Sequence, residues 1–292
     1  MTDLAVIPAK RPDWLFRIGL GIVAVVIVLA VIGPYVGPYD PTLTTPRVAV
    51  PPAGWTEISA WAAGRSDHVP HLMGTDASGY DVFSRVIAAP RTDLVIALLA
   101  NGLSLLAGVL FGLLAGYFRN FATELLMRVS DVLQSFPVFI MAMVLVALAG
   151  RSTTNIVIAL ALVYTPIYIR LTRAEVLAQT SRGFVEAARA LGQPELQIAL
   201  RHVLPNSLTP ALIQSSVTIG FAILLTAGLS FVGAGVRPPT PEWGLMISTG
   251  ANQIILGEWW PSVFPGIAIS LTVFGFAVLG NALERRYEGS GQ

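Results

Sequence analysis

The polar positions of this chain are spaced so that six charge-free runs lie between them, at 18–39, 94–118, 132–150, 152–169, 203–236 and 259–283. Each run holds the roughly 18 to 20 residues that a helix needs to cross a bilayer. Backbone groups in lipid must be satisfied within their own segment, and the runs lack the strict alternation of a barrel strand, so each is predicted to be a helix. The expected fold is an all-α integral membrane protein with about six transmembrane helices.

Two of the intervals between the runs stand out. The first is 184–206, FVEAARALGQPELQIALRHVLPN, a charged insert between the fourth and fifth spans that carries Glu186, Arg189, Glu195, Arg201 and His202. Its pattern predicts two short helices, 183–191 and 194–204. Gly192 supplies a left-handed stop for the first; Pro194 suits the first helical position of the second, and Glu195 complements the dipole there. Leu196, Ala199, Leu200, Val203 and Leu204 recur at helical spacing on one face of the second helix. Pro205 and Asn206 are expected to break it before the fifth span. The product is a helix-turn-helix projection outside the membrane, of the kind another protein grips.

The second long interval, 40–92, is polar and rich in Pro, Gly and Asp. Its glycines read as turns, and Asp76 and Asp81 as caps of short helices. Within the spans, Gly108, Gly112 and Gly116 repeat every four residues, a small-residue face that lets another helix of this chain or of a partner approach closely. Residues 151–155 make a hairpin of the third and fourth spans, and Pro166 is expected to kink the fourth. Asp131 and Gln134 sit at a span edge, where capping or snorkelling explains them. Gln214, Ser215 and Thr218 in the fifth span fit either helix contacts or a hydrated pathway. The segment 243–257 is too short and polar to span and reads as interfacial, with Trp243, Trp259 and Trp260 in the aromatic belt.

Composition agrees: 54% apolar and 12% charged residues, with a mean hydropathy of +0.69, exclude an ordinary soluble domain. A net charge of +1 gives no argument for nucleic acid, and the absence of cysteine removes disulfides and thiolate metal sites. With the N-terminus inside, the inner segments hold twelve Lys and Arg against six in the outer ones, which favours cytoplasmic termini and a cytoplasmic insert. The chain then divides into an N-terminus (1–17), an uncleaved first anchor (18–39), an extracytoplasmic segment (40–92), a membrane core (93–283, with the insert at about 173–206 and the interfacial segment at about 237–260) and a tail (284–292). An intramembrane enzyme is disfavoured because there is no HExxH pattern, only three histidines and no pair of carboxylates inside spans. An ion-driven transporter would show charged mid-membrane positions or inverted repeats, and neither is evident.

The order of motifs resembles one family closely. Glu186-Ala187-Ala188, then Gly192, then Leu204-Pro205-Asn206 is similar to the EAA loop of bacterial ABC importer permeases. PYDP at Pro38, HLMGTDASGYDVFSRV at His71, LAGYF at Leu114 and FVGAGVRPPTPEWG at Phe231 resemble the dipeptide, oligopeptide and nickel permeases. The chain departs from that family at Tyr80, where a basic residue is usual, and in its tail, which is not Asp-rich. The resemblance implies a bacterial inner-membrane permease subunit, half of a translocation pathway. Its partners would be a homologous second permease, two ATPase subunits and an extracytoplasmic solute-binding protein, and its cargo peptides, or else nickel, an opine or another small solute. It implies that Glu186, Ala187, Ala188, Arg189, Leu191, Gly192, His202, Leu204, Pro205 and Asn206 couple the chain to the ATPase. Glu186 would make a charge-assisted contact, and Ala187, Ala188 and Leu191 would pack in the ATPase cleft. No cofactor is expected on this chain: its only lysine, Lys10, is followed by Arg11, so it lacks a phosphate-holding Walker loop, and ATP and Mg belong to the partner subunits.

Overall fold

A computed structural model describes residues 14–290, with side chains through Tyr287; Lys10, Arg11 and the last residues of the tail lie outside the described residues. The helices are α1 (Trp14–Val36), α2 (Trp55–Ala62), α3 (Val82–Tyr117), α4 (Phe121–Gln134), α5 (Val138–Ala149), α6 (Thr153–Thr180), α7 (Gly183–Ala190), α8 (Glu195–Ile198), α9 (Leu204–Ser207), α10 (Thr209–Phe231), α11 (Trp243–Ala251) and α12 (Trp260–Ser290). A π-turn, Ala199–Val203, joins α8 to α9, and a 3₁₀ turn, Ile254–Leu256, follows α11.

Five helices, α1, α3, α6, α10 and α12, are each long and apolar enough to cross a membrane. The expected third span at 132–150 is not one helix: it divides at residues 135–137 into α4 and α5, bent by 97°. Pro137 has no amide donor and biases Phe136 away from helix, while the Ser135 hydroxyl donates back to the Val132 carbonyl. Counted as one broken span, the pair makes six. The fourth span also outruns its apolar stretch, since α6 continues past Ile169 to Thr180, and Pro166 lies inside this unbroken helix.

The glycine stripe chooses a partner within the chain. A Cβ on Gly108 would stand 2.2 Å from Tyr168 Cβ, on Gly112 2.7 Å from Thr172 Cβ, and on Gly116 2.7 Å from Val176 Cγ1. The contacts climb α6 at the same four-residue interval as the glycines on α3, so the two backbones cross in close contact. Around this pair the other spans pack. Gly33 of α1 meets the Ile87 carbonyl of α3, Gly19 meets Leu279 of α12, and Gly280 of α12 meets Val217 of α10. The start of α1, the end of α12 and the 183–207 insert therefore lie at one end of the bundle.

The opposite end is closed by the polar interval, which is folded. Thr75 and Val50 exchange hydrogen bonds at 2.9 Å, and the Ala53 amide donates to the His71 carbonyl at 3.0 Å, lacing 45–53 to 71–79. Gly74 sits at φ +76°, with the Val50 carbonyl and the Trp260 indole where a side chain would begin. Asp81 caps α3, a long span and not a short helix, by accepting from the Ser84 amide, and its other oxygen receives the buried His71 Nδ1 at 2.7 Å. Asp76 caps no helix; it holds a turn through the Ser78 and Tyr80 amides. Buried Arg85 ties the layer together by donating to the carbonyls of Pro41, Pro239 and Thr240. Of the three tryptophans read as the aromatic belt, Trp243 and Trp260 are buried and donate to the Val86 and Thr75 carbonyls, and Trp259 is exposed. The two buried indole N–H groups reach carbonyls that lack a backbone partner: Thr75 lies in the loop, and the Val86 carbonyl inside α3 is left free because Pro90, four residues on, has no N–H.

Candidate coupling site

The insert is seated by a small core of its own. Val185 and Ala188 of α7 with Ile198, Ala199 and Val203 of the following helix pack on Leu113 of α3 and Val176 of α6. Each fully buried Val or Ile contributes roughly 1.5–3 kcal/mol, enough to fix the insert to the ends of the two central spans. Two expectations change here. Ala188 faces this core and is unavailable to a partner, whereas Ala187 and Leu191 are exposed. On the second helix, Ile198, Ala199 and Val203 point inward and Leu204 is half-buried against them, but Leu196 and Leu200 turn outward, at 60% and 45% exposure.

The turn is built as the sequence indicates. Gly192 adopts φ +75°, its amide donates to the Arg189 carbonyl, and the Gln193 amide donates to the Ala188 carbonyl, which together satisfy the last carbonyls of α7. Pro205 and Asn206 do not break the second helix. Pro205 has no amide for the Arg201 carbonyl, so the chain widens into the π-turn, with the Leu204 amide donating five residues back to Ala199, and helix resumes as α9. Asn206 stays exposed and donates to the His202 carbonyl; His202 Nε2 lies 2.9 Å from the Gln193 side-chain oxygen, tying the second helix back to the turn.

Arg189 is also turned inward across the insert. Its guanidinium donates twice to the Glu195 carboxylate, at 2.7 and 3.2 Å, and the Tyr117 hydroxyl at the end of α3 donates to the same carboxylate. The Arg189 bond, with that of Tyr117 behind it, pulls the Glu195 carboxyl from its ordinary 4.5 to about 2, and Glu195 holds the guanidinium more firmly protonated. Tyr117 was not a candidate from sequence; its signal was a tyrosine directly after the glycine stripe, where α3 leaves the apolar region. What remains outward is Glu186, with no ion-pair partner among the described residues, framed by Phe184, Ala187, Leu191, Leu196 and Leu200.

The fifth-span polar groups serve mainly contacts within the chain. Ser215 and Asn101 share the Tyr168 hydroxyl, at 3.3 and 2.5 Å, and Gln214 reaches Thr218 at 3.4 Å. One carboxylate pair forms where a span meets the interfacial segment: Asp93 of α3 and Glu242, the cap of α11, are buried neighbours, with only Asp93 inside a span. Both stood at the lips of apolar runs, so charge-free intervals ended beside them without showing that they meet.

A helical bundle of five continuous spans and one broken one, with a seated helix-turn-helix at the end where α1 begins and α12 finishes, defines a multi-pass membrane protein. The chain belongs to the family of binding-protein-dependent transport system inner membrane components, whose pattern matches residues 108–289. It is a permease subunit of an ABC importer of the inner membrane. It is 37% identical over 266 residues to a di/tripeptide transport system permease protein of Pseudomonas aeruginosa, covering 91% of this chain and 85% of the relative. To a dipeptide transport system permease protein of Escherichia coli it is 39% identical over 267 residues, 91% and 86% of the two chains. To a glutathione transport system permease protein of Pectobacterium atrosepticum it is 36% identical over 214 residues, 73% and 71%.

Proposed function

We propose that this subunit forms half of the pathway of a peptide importer, paired with a homologous permease, fed by an extracytoplasmic binding protein and driven by two separate ATPase subunits. The peptide cargo is supported by relatives named for dipeptide, di/tripeptide and glutathione transport that match over most of the chain. Both termini and the insert then face the cytoplasm, and the laced 40–81 layer faces the binding protein.

The observation that carries the coupling role is the division of the insert into two faces. Its inner face is fixed to α3 and α6 by the Val185, Ile198 and Val203 core, while its outer face presents Leu191 at 81% exposure, Leu196 at 60% and an exposed Glu186 that has no ion-pair partner among the described residues. Apolar groups around one acid fit a cleft with a basic rim. Closure of the ATPase pair moves the insert, and the rigid seat passes that motion to α3 and α6, which switches access to the pathway. Glu186, Ala187, Leu191 and Gly192 act in docking; Arg189, His202, Leu204, Pro205 and Asn206 hold its shape. Glu186→Arg in the assembled complex tests this: substrate-stimulated ATP hydrolysis is lost while membrane insertion is unchanged. Normal stimulation in that variant would falsify the assignment. Because the chain has no cysteine, a single Gln197→Cys labelled by an impermeant maleimide only in inside-out vesicles checks the orientation.

A further inference from the structure

A polar cavity of about 760 Å³ opens at the insert end of the bundle, between the end of α3, α4 and α6. Arg119, Arg128, Arg170 and Arg173 line it against only Glu124 and Asp131, a surplus of two positive charges. Arg170 pairs with Asp131 at 3.1 Å, and Arg128 reaches Glu124 only at 4.0 Å. Among the described residues Arg119 and Arg173 have no carboxylate partner, and the buried Arg173 Nε has no hydrogen-bond partner. An unpaired buried guanidinium nitrogen is costly, and a tetrahedral oxyanion presents the acceptors that a guanidinium fork fits.

The neighbouring face of α4 identifies the source of such an anion. Phe121, Leu125, Val129 and Val132 are exposed at helical spacing, beside the stripe of Glu124, Arg128 and Asp131. The helix thus sets apolar contact next to the basic cavity, at a 97° bend from α5. A headgroup needs the cavity and its chains need the stripe. Basic pockets between transmembrane helices on the cytoplasmic side are sites for phosphate-bearing lipid headgroups. We propose that this cavity binds the phosphate of an anionic phospholipid of the inner leaflet, with Arg119 and Arg173 as its principal donors and the lipid chains along Phe121 and Leu125. The proposal rests on the cytoplasmic placement of the insert end.

The test uses the assembled transporter purified in mild detergent. Native mass spectrometry is expected to find phosphatidylglycerol or cardiolipin retained in preference to phosphatidylcholine, and Arg119→Gln with Arg173→Gln to weaken retention by roughly tenfold or more, as loss of charge-assisted contacts requires. Should that double variant fold poorly, Arg128→Gln, on an exposed wall, is expected to weaken retention by a smaller factor. A wild-type protein whose melting temperature rises with phosphatidylglycerol content in nanodiscs, an effect absent in the variant, is the second support. Equal retention in variant and wild type, or stabilisation by inorganic phosphate with no lipid retained, would overturn the lipid site. Neither readout involves Glu186 or ATP hydrolysis, so failure here leaves the coupling assignment standing, and labelling of Gln197→Cys from the outside would remove the topological basis separately.

Discussion

Arg189 reaches back across the Gly192 turn and grips Glu195 through Nε at 2.7 Å. The pair locks two short helices into one body, and Tyr117 fastens that body to the end of α3. Since the groups are solvent-exposed, the apolar core below supplies most of the stability and the ion pair sets the angle between the helices.

The first prediction concerns acid. The folded carboxyl of Glu195 is depressed from 4.5 to about 2, so its contribution is fully present above pH 4.5 and is lost only as pH falls through about 2. A carboxyl-carbon NMR titration of labelled glutamate should give Glu195 a midpoint near 2. In Arg189→Gln the midpoint should move back toward 4.5; an unchanged midpoint would remove Arg189 as the main cause.

The glycine stripe predicts overpacking. Gly112→Leu places its side chain against Thr172 and the Ile169 carbonyl and should lose about 1–3 kcal/mol of stability, read as a lower thermal midpoint in detergent. Gly102→Ala on the same helix adds a Cβ that meets nothing within 4 Å and should change stability little.

Gly192→Ala isolates backbone conformation from packing, because no atom lies within 4 Å of the added Cβ while φ is +75°. The turn should weaken by roughly 1 kcal/mol. Hydrogen exchange of α7 and the helix after it should quicken, with the exchange of α3 and α6 unchanged.

Arg85→Leu removes the donor that three carbonyls share and should cost on the order of 3 kcal/mol locally. Limited proteolysis in the 40–81 layer is the measurement. The variant should be cut faster there than wild type, while the membrane core survives intact.

Legibility differed by region. The Gly192 turn was readable because its signal is local: a residue free of Cβ strain between two helical patterns, followed by proline. The inward turn of Ala188 was not, because Ala187 and Ala188 are chemically identical and differ only by 100° around a helix whose neighbour was unknown. The π-turn before Pro205 was missed for a similar reason. Proline on its own reads as a stop, but a helix anchored at both ends by Ile198 and Val203 widens to keep its packing.

Hydrophobic spacing by itself determined the all-helical membrane fold and the insert outside it, since these follow from transfer of side chains to lipid and from backbone satisfaction within each segment, while Gly192 and Pro194 determined the insert's two-helix form. Only the tertiary structure decided that Gly108, Gly112 and Gly116 face α6, that Tyr117 and Arg189 converge on Glu195, that Asp93 meets Glu242, and that the third span is broken. Those outcomes depend on which surfaces meet at contact distance, and residues such as Tyr117 and Glu195 lie 78 positions apart in the chain, where no sequence period connects them.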